Sequence, residues 1–314
     1  MSRYRLIEYG LEGDSGWALA PAKINLWLEV LERRDDGFHE VKTLLAPIAF
    51  WDRLEIKSGG DADCLTVEGI EVPTSAENLV MKALTRARQT RPIPHLQVHL
   101  VKKIPPKSGL GGGSSDAAAM LVLLDALFPA PGGRQELQRQ AAAIGSDVPF
   151  FLGDGPAVAT GRGEKIEAFC GPFLGGDRVF FNLVFPEIGL KTPEVYAALS
   201  EHLTSGASQC NFSVGSFQEK LVWMQCLHNR LLDGARRVEP RMKELAAILE
   251  SLFPGSWSMT GSGSCFIVPA ADEPRAVMAA EILRSRFHGV TTSAGRPGPP
   301  PVEIMTVPLL TPVE

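Results

Sequence analysis

The run Pro105-Pro106-Lys107-Ser108-Gly109-Leu110-Gly111-Gly112-Gly113-Ser114-Ser115-Asp116, followed by Ala117-Ala118-Ala119-Met120, has the composition of an anion cradle. Four glycines in five residues let backbone N–H groups approach a ligand with no Cβ in the way. The alanine-rich run that follows begins a helix, whose N-terminus adds positive partial charge. The natural guest is a phosphate. No Gly-Lys-Ser/Thr closes the loop, which excludes a Walker A cradle, and the spacing is not Gly-x-Gly-x-x-Gly. A second glycine-serine turn, Met259-Thr260-Gly261-Ser262-Gly263-Ser264, opens the apolar run Cys265-Phe266-Ile267-Val268.

The elements that must position these turns follow from periodicity. Ile24, Leu26, Leu28 and Val30 alternate with Asn25, Trp27 and Glu29, which predicts a half-buried strand with Lys23 and Asn25 together on its polar face. Arg34-Asp35-Asp36-Gly37 is a hairpin turn signal, with the returning strand over 38–50. Leu96, Val98 and Leu100 form a strand that runs into the glycine loop. Ala117, Met120, Leu121, Leu124, Leu127 and Phe128 make one helical stripe after it. A helix over 135–144 should stop at Gly145 as a left-handed cap, with Ser146-Asp147-Val148-Pro149 as a turn. Further on, a strand near 179–185, helices after Thr192 and over 217–232, 240–252 and 273–287, and a strand over 302–307 are expected. Residues 1–16 read as a loosely attached extension and 295–301 as a proline-rich connector.

Composition bounds the class. The chain has 314 residues, 45% hydrophobic and 21% charged, as in a globular protein able to bury a large core. A net charge of −5 argues against nucleic acid as a partner, while a small phosphorylated ligand needs only a local positive site. Five scattered cysteines without Cys-x-x-Cys give no zinc or disulfide pattern. With no leader or membrane span legible, a cytoplasmic protein is expected, working without membrane as a monomer or weak homodimer. His95 and His99, with no acid or cysteine next to them in sequence, read as solvent-facing, and Lys107 as a solvated charge. Asn211-Phe212-Ser213 matches a glycosylation sequon by chance.

Together these turns resemble the phosphate-binding and third motifs of the small-molecule kinases that include galactokinase, homoserine kinase and mevalonate kinase. Three blocks resemble, more narrowly, the branch that acts on a cytidine diphosphate conjugate of methylerythritol: Pro21-Ala22-Lys23-Ile24-Asn25-Leu26, Arg34-Asp35-Asp36-Gly37-Phe38-His39, and Gly145-Ser146-Asp147-Val148-Pro149-Phe150-Phe151. The resemblance runs from about Ala18 to Pro308. It implies an α+β fold of two domains, an N-terminal one like that of ribosomal protein S5 and a ferredoxin-like C-terminal one. The expected division is 1–16 as extension, 17–175 as ATP-binding and catalytic domain, and 176–314 as second domain.

The resemblance further implies Mg²⁺- and ATP-dependent phosphorylation of a tertiary hydroxyl on that small-molecule substrate. Pro105 to Ser115 would hold the ATP phosphates, with Asn78 near the base. Lys23 and Asp147 would be the catalytic pair. Asn25, Phe38 and His39 would line the substrate site, Phe38 and His39 near the cytosine, with Gly261 and Ser262 bordering it. Lys191 and Thr192 are weaker candidates near the substrate. Ser114 or Ser115 would touch Mg²⁺ or a phosphate oxygen. Phosphoryl transfer needs charge neutralisation, alignment and an oriented hydroxyl, and these residue types supply them. Taken alone, Asp147 would be a turn residue and Lys23 a solvated edge charge. Two departures stand out: Phe38 where the family usually has tyrosine, and Asn229-Arg230-Leu231-Leu232 in place of an Asn-Asp-Leu-Glu-like run. The alternatives are a sibling kinase acting on homoserine, mevalonate or a sugar, and a nucleotide-binding sensor that has lost catalysis. A Rossmann dehydrogenase fails as a reading, because the chain lacks Gly-x-Gly-x-x-Gly after its first strand and an acid beyond it.

Overall fold

The computed structural model describes residues 6–169, 179–200, 224, 226–288 and 302–310. Its frame is a long antiparallel hairpin, β2 (Ser15–Arg33) and β3 (His39–Ser58). The turn closes through Arg34 N to the Phe38 carbonyl at 2.8 Å and Gly37 N to the Arg34 carbonyl at 3.1 Å. Gly37 takes φ +85°, which a side chain would disfavour. The sheet continues on one side through β1 (Glu8–Glu12) and on the other through β5 (Leu96–Lys102) and the parallel β4 (Cys64–Gly69). The short strands β6 (Ala157–Thr160) and β7 (Lys165–Ala168) extend it beside β3. Against one face pack α1 (Leu79–Arg88), α2 (Gly112–Leu127), α3 (Gly133–Ile144) and the single turn α4 (Val148–Phe151).

A second, wholly antiparallel sheet has β8 (Phe180–Pro186) at its centre, buried at every residue, beside β11 (Phe266–Ala270) and β12 (Val302–Pro308), with β10 (Ser258–Met259) at the edge. Four helices accompany it: α5 (Thr192–Ser200), α6 (Leu231–Val238), α7 (Arg241–Leu252) and α8 (Glu273–His288). Between α5 and α6 the two-residue strand β9 (His228–Asn229) joins the first sheet, parallel to β2. This α+β arrangement has the predicted strand–loop–helix passage through β5 and α2.

Several expectations change. Residues 6–16 are not a loose extension: Leu6 and Ile7 are buried in the first core and β1 pairs with β2. From Ala20 to Val30 β2 is not half-buried but covered on both faces, because the second sheet lies on the side opposite the helices. α2 is likewise buried on every side between β2, α1, α3 and α4, so its stripe is only part of the contact. Gly145 is extended, not left-handed, as the chain passes straight on to α4. Ser146 and Asp147 form the expected turn, which leads directly into α4. Of the helix expected over 217–232, residues 228–229 form a strand and a helix starts at Leu231; most of the rest, like the 295–301 connector and the sequon, lies outside the described residues. His95 and His99 do face solvent, but β4 and the turn before it bring acids beside them: Asp63 at 3.7 Å and Glu68 at 3.5 Å.

The hairpin changes which core it serves along its length. Ala18 and Ala20 point into the helical core, whereas Ala22, Ile24 and Leu26 point into the core between the sheets. The switch coincides with the register shift at Pro21/Ala22, where proline can give no ladder hydrogen bond. Lys23 and Asn25 therefore face away from the inter-sheet core, and a second register shift between Asn25 and Trp27 returns Trp27 to it.

At the root of the glycine loop, Lys102 at the end of β5 sits between Asp52 of β3 and Asp116 of α2. Its Nζ donates to Asp116 Oδ2 at 2.7 Å and to Asp52, while Asp52 Oδ1 accepts from Lys103 N and Ile104 N. All three side chains are buried. Burial works against the Lys102 charge, but its two carboxylates outweigh it and raise its pKa. Burial pushes Asp116 up to about 8, opposed by Lys102 and reinforced by the Asp52 charge. A carboxyl raised in the folded state keeps a proton that the unfolded chain loses above about pH 4. Its contribution is thus complete at low pH and lost as pH rises to about 8. Asp116→Asn should remove this slope, so that the difference in melting temperature between variant and wild type grows in the variant's favour from pH 5 to 8; parallel curves would refute it. In the same helix Leu121, fully buried, should cost about 2–5 kcal/mol when cut to alanine, read from urea unfolding.

Candidate active site

The glycine loop, the hairpin, α4 and the second sheet's glycine-serine turn enclose one cavity of about 1010 Å³. Lys23, Asn25, Phe38, His39, Asp147, Gly261, Ser262 and the loop from Pro105 to Ser114 all line it. Two expected residues do not. Ser115 is wholly buried, with no hydrogen-bond partner for its hydroxyl among the described residues. Asn78 caps α1 instead: its Oδ1 accepts from Val80 N at 2.9 Å and its Nδ2 donates to the Pro73 carbonyl at 2.7 Å. The next residue, Leu79, reaches the cavity.

The loop's glycines are required by what they touch. Gly111 begins α2 with φ +71°, and a Cβ there would come 3.0 Å from Lys23 Cγ. A Cβ on Gly109, at φ +80°, would overlap the Thr260 carbonyl. The loop thus lies backbone to backbone on the glycine-serine turn. Ser264 N donates to the Lys107 carbonyl at 3.3 Å and Cys265 N to that of Ser108 at 3.2 Å. Lys107, read as a merely solvated charge, lines the cavity and holds φ +58°, a strained value for a non-glycine residue. No side chain caps α2, so its first-turn N–H groups are available to an anion.

Lys23 is 3% exposed, far from a solvated edge charge, and its Nζ stands 3.6 Å from Asp147 Oδ2. Asn25 holds it there. Asn25 Oδ1 accepts from Lys23 Nζ at 2.8 Å and from Gly261 N at 2.9 Å, and its Nδ2 donates to Thr43 Oγ1 at 2.8 Å. Asn25 N in turn donates to Thr260 Oγ1 at 3.0 Å. With these bonds made, Asn25 joins β2 to the glycine-serine turn. Asp147, 37% exposed at the start of α4, makes no capping bond, so its carboxylate faces the cavity uncommitted to its helix. Asn229 supports the same turn, its Nδ2 donating to the Met259 and Gly261 carbonyls at 2.6 and 2.8 Å. Arg230, in the departing run, pairs with Asp233 at 2.6 Å and approaches Glu29 at 3.9 Å.

At the other end Phe38 is 52% exposed and His39 stacks on Tyr196, with centroids 5.2 Å apart. Burial, then the Arg33 charge, lowers the His39 pKa and keeps the ring neutral at pH 7. Burial, then the Asp147 charge, raises that of the Tyr196 phenol. Tyr196 was missed in the sequence, although Thr192, four residues earlier on the same helical face, also lines the cavity. Thr192 Oγ1 and Ser262 Oγ share a hydrogen bond of 2.7 Å, while Lys191 pairs with Glu194. Thr43 was missed because a buried threonine leaves no periodic signal.

Residues 78–155 match the family model described as the GHMP kinases N terminal domain. The 4-diphosphocytidyl-2-C-methyl-D-erythritol kinase of Parabacteroides distasonis is 37% identical, over 77% of this chain and 87% of its own. The enzyme of that name from Pelotomaculum thermopropionicum is 38% identical, over 81% and 89%. A crystal structure of a 4-(cytidine 5'-diphospho)-2C-methyl-D-erythritol kinase superposes with a TM-score of 0.71 at 32% identity, covering 93% of this chain and 98% of that one. The homoserine kinase from Cytophaga hutchinsonii superposes at 0.68 over 96% of each chain, but at 14% identity it shares the fold alone. The chain therefore belongs to the GHMP kinases, and within them to the family of 4-diphosphocytidyl-2-C-methyl-D-erythritol kinases.

Proposed function

We propose that the cleft transfers the terminal phosphoryl group of ATP to the tertiary hydroxyl of 4-diphosphocytidyl-2-C-methyl-D-erythritol, giving the 2-phosphate, in the non-mevalonate route to isoprenoid precursors. The observation that carries this reading is the Lys23–Asp147 pair, 3.6 Å apart beside an uncapped helix N-terminus and its glycine loop. Asp147 takes the hydroxyl proton as the new oxygen–phosphorus bond forms and the bond to the leaving diphosphate breaks. Lys23, held by Asn25, balances the negative charge of the group in flight. The loop amides of Gly111 to Ser114 hold the phosphates. A tertiary hydroxyl is hindered, so alignment by the cleft walls matters as much as the base.

The donors suit Mg²⁺, which keeps waters and substrate phosphates and takes only one or two protein oxygens. Ser114 and Asp147 are the oxygens on the cavity that fit, whereas Ser115 is too deeply buried. The ion would neutralise charge on the phosphates. Phe38 packs on the cytosine, and neutral His39 can offer it both a donor and an acceptor. Asn78 acts indirectly, by holding the end of α1 whose Leu79 borders the cavity. The two sheets support a division near residue 175, with residues 6–16 belonging to the first unit. The working form we propose is a cytoplasmic monomer or weak homodimer; among the described residues no helix is long and apolar enough to cross a membrane.

Incubation with Mg-ATP and the acceptor should give a new phosphate monoester by ³¹P NMR, absent with homoserine, mevalonate or galactose. Asp147→Asn should lower turnover about 10²–10⁴-fold while ATP still binds; undiminished turnover would remove Asp147 as base. Acceptor affinity should be flat above pH 7 and weaken as pH falls through the lowered His39 pKa, since protonation removes the ring's acceptor nitrogen. His39→Gln should abolish that acid limb.

A further inference from the structure

The turn between β6 and β7 brings to the cavity a cation that neither the glycine loop nor the Lys23–Asp147 pair accounts for. Val41 N donates to the Gly161 carbonyl at 2.8 Å and Gly161 N to Glu40 Oε1 at 3.0 Å, so the turn is bonded to the hairpin just beyond His39. Arg162 N donates to Glu164 Oε2 at 2.7 Å, which closes the turn on itself. From this base the Arg162 side chain reaches Phe38, with Cζ 4.8 Å from the ring centroid. Its one ion pair among the described residues, to Glu164, is 3.9 Å long, and there its guanidinium donates no hydrogen bond. An aromatic face and a distant carboxylate orient the fork and leave its N–H groups available.

The next residue reaches the other end of the chemistry. A Cβ on Gly163 would stand 4.0 Å from Asp147 Oδ1. Two consecutive residues therefore run from the hairpin aromatic to the carboxylate, and both line the cavity. In the reading above, the acceptor follows the same line, with its base at Phe38 and His39 and its hydroxyl at Asp147. Between base and polyol lie the ribose and then a diphosphate, the acceptor's only anionic part. We propose that Arg162 binds this diphosphate bridge, with Phe38 as its platform, and so makes the site demand a nucleoside diphosphate conjugate. Arg33, the other arginine on the cavity, is exposed beside His39 and adds positive potential, but among the described residues no ring orients it. This proposal rests on the acceptor assignment made above.

Equilibrium titration of the full chain with cytidine diphosphate and with cytidine, without ATP, tests it free of turnover. Wild type should bind the diphosphate about tenfold or more tighter than the nucleoside. Arg162→Gln should lose most of that ratio while cytidine binding changes less than about twofold, and Arg162→Lys should keep part of it. Because the turn is held by backbone donors, both variants should melt like wild type. Raising salt should weaken diphosphate binding more in wild type than in Arg162→Gln. An unchanged ratio in folded Arg162→Gln overturns the arginine assignment alone. Wild type that binds neither molecule overturns the acceptor reading and the proposal with it.

Discussion

One ammonium between two buried acidic side chains governs where the glycine loop can lie. Lys102 closes β5, Asp52 comes from β3 and Asp116 from the first turns of α2, so a single buried contact ties the strand before the loop to the helix after it. Removing the ammonium from such a contact would leave buried acid with no counter-charge, at a cost of about 3–5 kcal/mol, far more than an exposed pair is worth. The same Asp52 satisfies Lys103 N and Ile104 N, the first amides to leave the sheet. The loop is thus flexible in composition but fixed at both ends. That lets glycine-rich backbone act as a rigid cradle.

From that anchor the rest of the cleft is assembled by backbone contacts rather than side-chain lengths. The loop rests on the glycine-serine turn of the second sheet, and Asn25 binds that turn while steadying Lys23. The register shift at Pro21/Ala22 makes this geometry possible, because it turns the face bearing Lys23 and Asn25 away from the inter-sheet core. An ordinary alternating strand would have pointed the ammonium to the same side as Ala18 and Ala20's neighbours, away from its carboxylate. Placement of Asp147 at an uncapped helix start has the same logic: a carboxylate bound to its own amides would be less able to accept a proton.

Much of this was legible in the residues. Glycine and proline punctuation located both turns and the hairpin tip, alternation located β5 and the first strand of the hairpin, and strands were expected where β8 and β11 lie. What escaped was burial contributed by distant chain. Lys23 and Asn25 look solvated in a strand considered alone, and the second sheet that covers β2 comes more than 150 residues later. The acids beside His95 and His99 were hidden for the same reason, since β4 pairs across a helix. Arg162 and Tyr196 carry no motif; only the fold brings them beside Phe38 and His39.

The contact of Gly109 with the Thr260 carbonyl has an evolutionary reach. Two main chains that touch have no side chain between them to shorten or lengthen, so neither segment can drift without the other moving in step. A lineage acquiring a new acceptor has little freedom at this seam. On the proposed function its freedom lies at the rim, in the tip of the hairpin and the turn after β6, where a single change at Phe38 would alter recognition without disturbing the phosphate cradle. Divergence of substrate and constancy of chemistry are therefore allotted to different parts of the same wall.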